Sequence, residues 1–437
     1  MRKRWLALAS LVGVLAFVAA GCGGDDDGGG GSVEGSEDVT GTISTMGTWA
    51  GPEQASFQAV IDGFNELYPN VTVKFTSGGN NLAPLLSTAV QGGNPPDIAC
   101  IAQPGLIAQF AEQGAIQPID DLRDTIVDNF GESVADVGAV DGTQYAIMFK
   151  GANKSTIWYN VADFEEAGVE PPETWDDLNE VTSTIKAAGI TPYSVGVDAG
   201  WPISDIFENI YLRTAGADMY DQLANHEIPW TDQSVKDALT LMADVVGDSS
   251  NMAGGTDGAL ETTFDASAAK VFSEDPQAAM LILGDFAPGV VKNNPLEPVT
   301  GYNVFAFPSI EGSSPAVVGG GDLCANFKTS EAATAFLEYL TTPEAAEIWA
   351  ERGGFSSPNK NVDPDVYADE ITRTTATGLA EAETFRFDMS DLQPSAFGGT
   401  PGQGLWKGFT DFVANPDNID AVTQQMESDA KKAFANS

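Results

Sequence analysis

Between Thr42 and Phe75 the chain changes its hydrophobic period twice, and that change restricts the fold more than any other stretch. Thr42 to Thr48 reads as a strand. Pro52 then opens a helix in which Phe57, Val60, Ile61, Phe64 and Leu67 recur at helical spacing, and Val71, Val73 and Phe75 alternate as a second strand. A strand, helix and strand in that order imply a parallel sheet. The alternation continues: Leu82 to Gln91 reads as a helix, GGNPPDIACIAQPG carries a third strand, and Gly105 to Glu112 is a further helix. In open sheets of this kind ligands meet the loops at the carboxyl ends of strands. Here those loops are Thr48 to Pro52 and Ala102 to Gly105.

A chain of 437 residues exceeds one usual core, so two domains are expected. The stretch DGTQYAIMFKGANKSTIWYN, Asp141 to Asn160, suggests where they meet. Two apolar runs, Tyr145 to Phe149 and Thr156 to Tyr159, read as strands. The polar insert between them, Lys150 to Lys154, is too long for a tight hairpin. Two readings stay open on local pattern: a wide loop on one domain, or a crossing between two lobes with Lys150, Asn153 and Lys154 facing the cleft.

The first segment is set apart by charge. Arg2, Lys3 and Arg4 precede an apolar run from Trp5 to about Ala20, too short for a membrane span, and this reads as a secretion signal. It ends at Ala19-Ala20-Gly21-Cys22, which resembles the bacterial lipoprotein lipobox with Ala19 in place of the usual leucine. Residues 1–21 are then the signal peptide and Cys22 the lipidated first residue of an exported, membrane-anchored protein. GGDDDGGGGSVEGSED follows as a flexible tether, residues 22–40, and Asp25 to Asp27 within it read as a solvated run.

The formal net charge is −43, with 63 acidic against 20 basic residues, and removing Arg2, Lys3 and Arg4 makes the balance more negative still. Nucleic acid and anionic membrane surfaces are excluded as partners on that ground. Such a surface suits a salty environment, where counterions screen self-repulsion. In an exported chain Cys100 and Cys324 face oxidising conditions. A bridge between them would stabilise by roughly 4–5 kcal/mol on the loop-entropy model, and two unpaired thiols are the alternative.

The second half continues the alternation. Val161 to Ala167 is a helix; Pro171, Pro172 and Thr174 mark another, so Trp175 reads as a packing anchor. Trp201 lies between Gly and Pro before a helix carrying Asp205, and the apolar strand Met280 to Phe286 delivers Asp285 and Phe286 at its end. NVFAFPSI and AVVGGGDLCANF return the chain to the first lobe. A single histidine, His226, makes Ser-His-Asp and Cys-His mechanisms poor fits, and metal clusters of His and Cys are absent. No cofactor is implied. Gly319 to Gly321 lacks the lysine and hydroxyl residue of a P-loop and reads as close backbone approach beside the cleft. Paired carboxylates are harder to dismiss in so acidic a chain.

Several motifs taken together have a specific likeness. FNELYPNVTV, GGNPPDIA, GAIQPIDDL, the IWYN strand and the PPETWDDL helix start resemble the extracellular sugar-binding proteins of ABC importers, solute-binding protein family 1. GGFSSPNKNVD, Gly353 to Asp363, and FRFDMSDLQP, Phe385 to Pro394, resemble its α-glucoside-binding branch. The resemblance implies an α/β, two-lobed periplasmic-binding-protein fold (type II-like), each lobe a mostly parallel sheet flanked by helices. It favours the crossing at Lys150 to Lys154. Lobe I is then expected to hold residues 41–151 and 317–357, and lobe II residues 152–316 and 358–437.

The implied ligand is a small-molecule carbohydrate, and the implied partners are ABC permease subunits and their ATPase. Sugar rings offer C–H faces suited to flat aromatic side chains and hydroxyl rims suited to carboxylates and amides. The aromatic candidates are Trp49, Trp201, Phe286 and Trp406, of which Phe286 and Trp406 match positions where the family places stacking aromatics. The polar candidates are Gln103, Asn153, Lys154, Asp205, Asp285, Asp322, Asp388 and Asp391, with Asp388 and Asp391 in the segment most typical of the branch. A hinged protein of this kind is expected to be a monomer that breaks no bond. The rivals are an exported glycosidase or transglycosylase using paired carboxylates, and a binding protein for a non-sugar solute.

Overall fold

The computed structural model describes residues 35–291, 301–380, 382 and 384–435. The signal segment, Cys22 and most of the tether lie outside the described residues. The folded part opens with the expected unit: strand β1 (Gly41–Gly47), a helix Gly51–Leu67 and strand β2 (Val71–Ser77), the strands paired in parallel. Phe57, Val60, Ile61 and Phe64 form the buried face of that helix, as their spacing requires.

β3 (Ile98–Ile101) pairs in parallel with β1 on its other side. The small hairpin β4 (Ala139–Val140) and β5 (Thr143–Gln144) precedes β6 (Ala146–Asn153), and β7 (Thr156–Asn160) follows directly. The rest of the sheet framework is β8 (Tyr193–Ser194), β9 (Met280–Ile282), β10 (Tyr302–Ala306), β11 (Val317–Asn326) and β12 (Phe385–Phe387).

Two principal sheets result. The first runs β12-β11-β3-β1-β2, with β6 also paired to β11; the second runs β10-β7-β9-β8. The first is mixed, because β11 lies antiparallel to both β3 and β6. The second departs from the expected mostly parallel arrangement: β7 pairs antiparallel with β10 and β9, and only β8 and β9 run parallel. Helical crossovers give parallel pairs, but β7 enters this sheet straight from β6 of the other one, so its direction is set by the crossing.

Both faces of the first sheet are covered. Ile98 and Cys100 point into a core with Phe57, Phe336 and Trp349, while Ala99 and Ile101 point into one with Ile107 and Phe110. That explains why IACI has no polar alternation. Cys100 and Cys324 are cross-strand partners in this sheet and are joined as a disulfide. The largest core lies around the second sheet and includes Ile157, Trp175, Phe207, Trp230 and Phe409. Trp175 opens its helix and stacks on Phe307 at 5.6 Å, a packing role as expected.

The chain crosses between the sheets in three places. At the first, the backbone N–H of Lys154 donates to Val318 O at 2.9 Å; at the second, Phe307 N–H donates to Ser155 O at 2.9 Å; at the third, Asp388 N–H donates to Gly319 O at 2.7 Å. Two expectations change here. The polar stretch from Lys150 is strand up to Asn153, so the crossing itself is only Lys154 and Ser155. Buried strand positions carry lysine and asparagine because their partners are charged or backbone groups, which hydrophobic pattern does not reveal. Residues 358–437 were expected wholly in the second lobe, yet Val362 packs in the first lobe's core and β12 pairs in parallel with β11.

Candidate functional site

A cavity of about 380 Å³ lies between the two lobes. Its first-lobe wall comes from the loop after β1 and the start of the helix that follows (Thr48 to Glu53), the turn after β2 (Gly79, Asn80), the loop after β3 (Ala102, Gln103) and the strands β6 and β11 (Lys150, Asp322). The loops after β1 and β3 are those singled out at the carboxyl ends of strands. Its second-lobe wall comes from Trp201, Phe264, Asp265, Phe286, Asp391 and Trp406. A larger recess of about 700 Å³ lies on the far side of the 391–404 segment, lined by Gly105, Leu392, Gln403 and Lys432 among others. It holds none of the residues expected for binding.

The aromatic wall is built from three separate elements. Trp201 is the first residue of the helix Trp201–Thr214 rather than a loop residue, with Gly200 before it and Pro202 after it. Its ring centroid lies 5.2 Å from Phe264 and 6.1 Å from Phe286. Phe286 follows the short β9 across a turn, and Trp406 sits in the first turn of the helix Gly404–Ala414. Trp406 is 4 % exposed, and its indole N–H is buried with no hydrogen-bond partner among the described residues. An orphan donor in a cavity wall costs stability until something accepts from it.

Trp49 has a different role from the one expected. It lines the cavity but is 2 % exposed, packed against Phe57 at 4.4 Å and edge-on to Trp349 at 5.0 Å. Its Nε1–H donates to Asp322 Oδ2 at 2.7 Å, and Thr48 Oγ1–H donates to Asp322 Oδ1 at 3.2 Å. Asp322 therefore orders the loop after β1 as well as facing the cavity.

Of the polar candidates, Gln103, Lys154, Asp322 and Asp391 line the cavity, while Asn153, Asp205, Asp285 and Asp388 do not. Asn153 Nδ2–H donates to Thr375 O at 3.2 Å. Asp285 accepts from Ser356 Oγ–H at 2.5 Å and from the backbone at the crossing. Burial pushes the Asp285 carboxyl up to about 6 despite those bonds. Asp388 caps the short helix Met389–Leu392, accepting from Asp391 N–H at 3.1 Å. These four residues hold the crossings together. Carboxylates and amides at helix starts and turns serve as caps far more often than as ligand contacts, and sequence alone does not separate the two roles.

Asp205 and Asp388 converge on one lysine. Lys154 Nζ lies 3.2 Å from Asp205 Oδ1, contacts Asp388 Oδ2, and stands 3.8 Å from Asp391 Oδ2, with the Trp201 ring centroid at 5.4 Å. Burial opposes the lysine's charge, but Asp205, Asp388 and Asp391 outweigh it and raise its pKa well above normal. Asp388 is held below the ordinary carboxylate range: burial opposes this, and Lys154 with Ser390 overcomes it. Asp205 and Asp391 go the other way, raised first by burial and then by the neighbouring negative charge. Asp391 also ties the lobes, because Gln103 Nε2–H donates to its Oδ1 at 3.0 Å.

Several wall residues were not anticipated. Glu53 pairs with Lys150 at 2.5 Å, Asn80 Oδ1 accepts from Trp201 Nε1–H at 3.4 Å across the lobes, and Phe264 and Asp265 open the helix Phe264–Phe272. Glu53 reads as an ordinary first-turn acid, and Phe264 as a core position on its helix. Only the pairing of distant loops reveals them. Among the described residues no cluster of His, Cys, Asp and Glu is arranged to hold a metal ion, and no helix is long and apolar enough to cross a membrane. His226 contacts Glu427 at 3.1 Å, and neither residue lines the cavity between the lobes.

The model of the bacterial extracellular solute-binding protein family matches residues 50–347. The alpha-glucosides-binding periplasmic protein AglE of Rhizobium meliloti is 34% identical over 398 residues, which cover 87% of this chain and 85% of that protein. The osmoprotective compounds-binding protein GgtB of Synechocystis sp. is 31% identical over 403 residues, covering 89% and 92%. Among solved structures, the bacterial solute receptor AcbH superposes with a TM-score of 0.79 at 22% identity, covering 91% of this chain and 100% of that one. The GacH receptor of Streptomyces glaucescens gives 0.73 at 17% identity, covering 91% and 100%.

Proposed function

The chain belongs to the bacterial extracellular solute-binding protein family, and from that premise we propose that it captures a neutral α-glucoside, or a closely related small sugar, between its lobes and presents it to an ABC permease. The observation that carries this reading is the composition of the cavity wall. Three aromatic side chains, Trp201, Phe286 and Trp406, face hydrogen-bonding groups from the other lobe across one cavity. That is the pairing a sugar ring and its hydroxyl rim require. The indole N–H of Trp406, buried and without a hydrogen-bond partner among the described residues, is in this reading a donor for a sugar oxygen.

The name of one relative, which binds alpha-glucosides, favours the same substrate class, and the other relative is named for osmoprotective compounds. Lobe closure around the sugar buries it against both walls, and the closed form is what the permease meets. Family members and solved neighbours are binding proteins, and we read this chain as one that returns its ligand intact. Cys22 is the proposed lipid attachment site, tethering a monomer to the outer face of the bacterial cytoplasmic membrane.

Calorimetric titration with maltose, trehalose, sucrose and a non-sugar polyol tests the reading: saturable binding of at least one α-glucoside is expected, and silence to all three sugars would remove it. Free glucose accumulating in the same samples would favour the glycosidase instead. Mass spectrometry of the mature N-terminus tests for lipid on Cys22.

A further inference from the structure

The carboxylates around Lys154 outnumber the cations that could balance them. Asp205, Asp388 and Asp391 converge on its single Nζ, and Glu208 stands behind them, its carboxylate accepting from the backbone N–H groups of Met389 and Ser390 and from Tyr220 Oη–H. All four acids are buried, three of them wholly and Asp391 at 5 % exposed. Like charges packed this closely away from water do not all ionise.

Asp388 has first claim on the lysine. It contacts Nζ directly and is further bound by Ser390 Oγ–H at 2.7 Å and Asp391 N–H at 3.1 Å. Asp391 has the weakest claim. Its Oδ1 accepts only from the neutral amide of Gln103, and its Oδ2, 3.8 Å from Nζ, has no hydrogen-bond partner among the described residues. The other charged groups facing it are negative, or already paired. Asp388 adjoins it, Asp322 lies across the cavity, and the charge of Lys150, the other lysine of the cavity wall, is taken by Glu53.

We propose that Asp391 meets the ligand as a neutral carboxylic acid, so that closure of the cleft around sugar takes up one proton from solution. This rests on the sugar-binding reading above and names the protonation state of one of its contacts. In the open form, Gln103 leaves with the first lobe and water reaches Asp391, which then ionises like an ordinary carboxylate. On closure the proton returns to Oδ2, and the group offers an O–H donor to a ligand oxygen. The sign follows: a group that holds its proton more tightly in the closed form gives tighter binding at low pH, and affinity is lost as pH rises. Asp205 and Glu208 are wholly buried behind the cavity wall, and closure leaves their protonation unchanged.

The test is calorimetry of the best α-glucoside at pH 7 in buffers of different ionisation enthalpy, such as phosphate and Tris. The slope of observed heat against buffer enthalpy is expected to report uptake of about one proton, with affinity falling up to about tenfold per pH unit over the linked range. Asp391→Asn should bring the slope to zero. Asp205→Asn, which alters a hinge carboxyl outside the cavity whose protonation closure does not change, should leave the slope as in wild type, and thermal melts establish that both variants are folded. Binding with heats independent of buffer, or an unchanged slope in Asp391→Asn, overturns this inference alone. Absence of binding to every sugar overturns it together with the functional reading.

Discussion

Gly200 and Trp406 are in contact through their backbones: a Cβ built on Gly200 would stand 2.5 Å from Trp406 Cβ and 2.9 Å from its carbonyl oxygen. Gly200 has φ of 88°, a conformation that costs glycine little, and it immediately precedes Trp201. One glycine therefore sets two cavity indoles on separate helices at their mutual spacing.

Substituting Gly200→Ala should displace Trp406 and strain the turn together. Stability is expected to fall by more than about 1 kcal/mol in urea unfolding. Sugar affinity should fall by about tenfold, or about 1.4 kcal/mol. A variant that titrates like its parent would mean that Trp406 is placed by other contacts.

Trp49 is a structural residue first. Trp49→Ala should cost about 3–5 kcal/mol of folding stability through the cavity it leaves among Phe57, Phe149 and Trp349. Trp49→Phe keeps most of the ring and loses the bond to Asp322, so about 1–2 kcal/mol is expected in the same denaturant series. Equal losses in the two variants would contradict this division.

The Cys100–Cys324 bridge closes a sequence separation of 224 residues between adjacent strands of the first sheet. The double variant C100A/C324A is expected to lose roughly 2–5 kcal/mol in urea melts, with its sugar titration retained because neither sulfur lines the cavity. Unchanged stability would show that the strands need no staple.

Asp285 carries a pH signature. Its carboxyl is pushed by burial from an ordinary 3.8 up to about 6 in the folded protein, so folding binds its proton more tightly. That contribution is fully present below about pH 4 and is lost as pH rises through about 6, a change of up to about 3 kcal/mol. Relative to wild type, Asp285→Asn should flatten the stability curve over that window in thermal melts. Parallel curves for the two proteins would rule the assignment out.

How much of this was legible beforehand depends on the kind of signal. The opening β1-helix-β2 unit and the helix beginning at Trp175 followed from period and cap residues, because local burial writes itself into local spacing. The antiparallel second sheet did not, since strand direction depends on which element a segment meets in space. The same limit applies to the site. Trp201, Phe286 and Trp406, which line the cavity, were singled out by a Gly-Trp-Pro break, by the end of an apolar strand and by family position rather than by period. Asp205, Asp285 and Asp388 share the composition of ligand contacts but serve the crossings, and Asn80, Phe264 and Asp265 carry no local mark. Cys100 and Cys324 were noticed as a pair, and only their register as β3 and β11 neighbours joined them.

The central claim is that indole and phenyl faces from one lobe and hydrogen-bonding groups from the other enclose a neutral sugar. Parallel calorimetric titrations of wild type and Trp406→Ala with an α-glucoside panel test it most directly. Saturable binding by wild type and a loss of at least tenfold, about 1.4 kcal/mol, in the variant are the expected results. Identical isotherms for the two proteins would contradict the account.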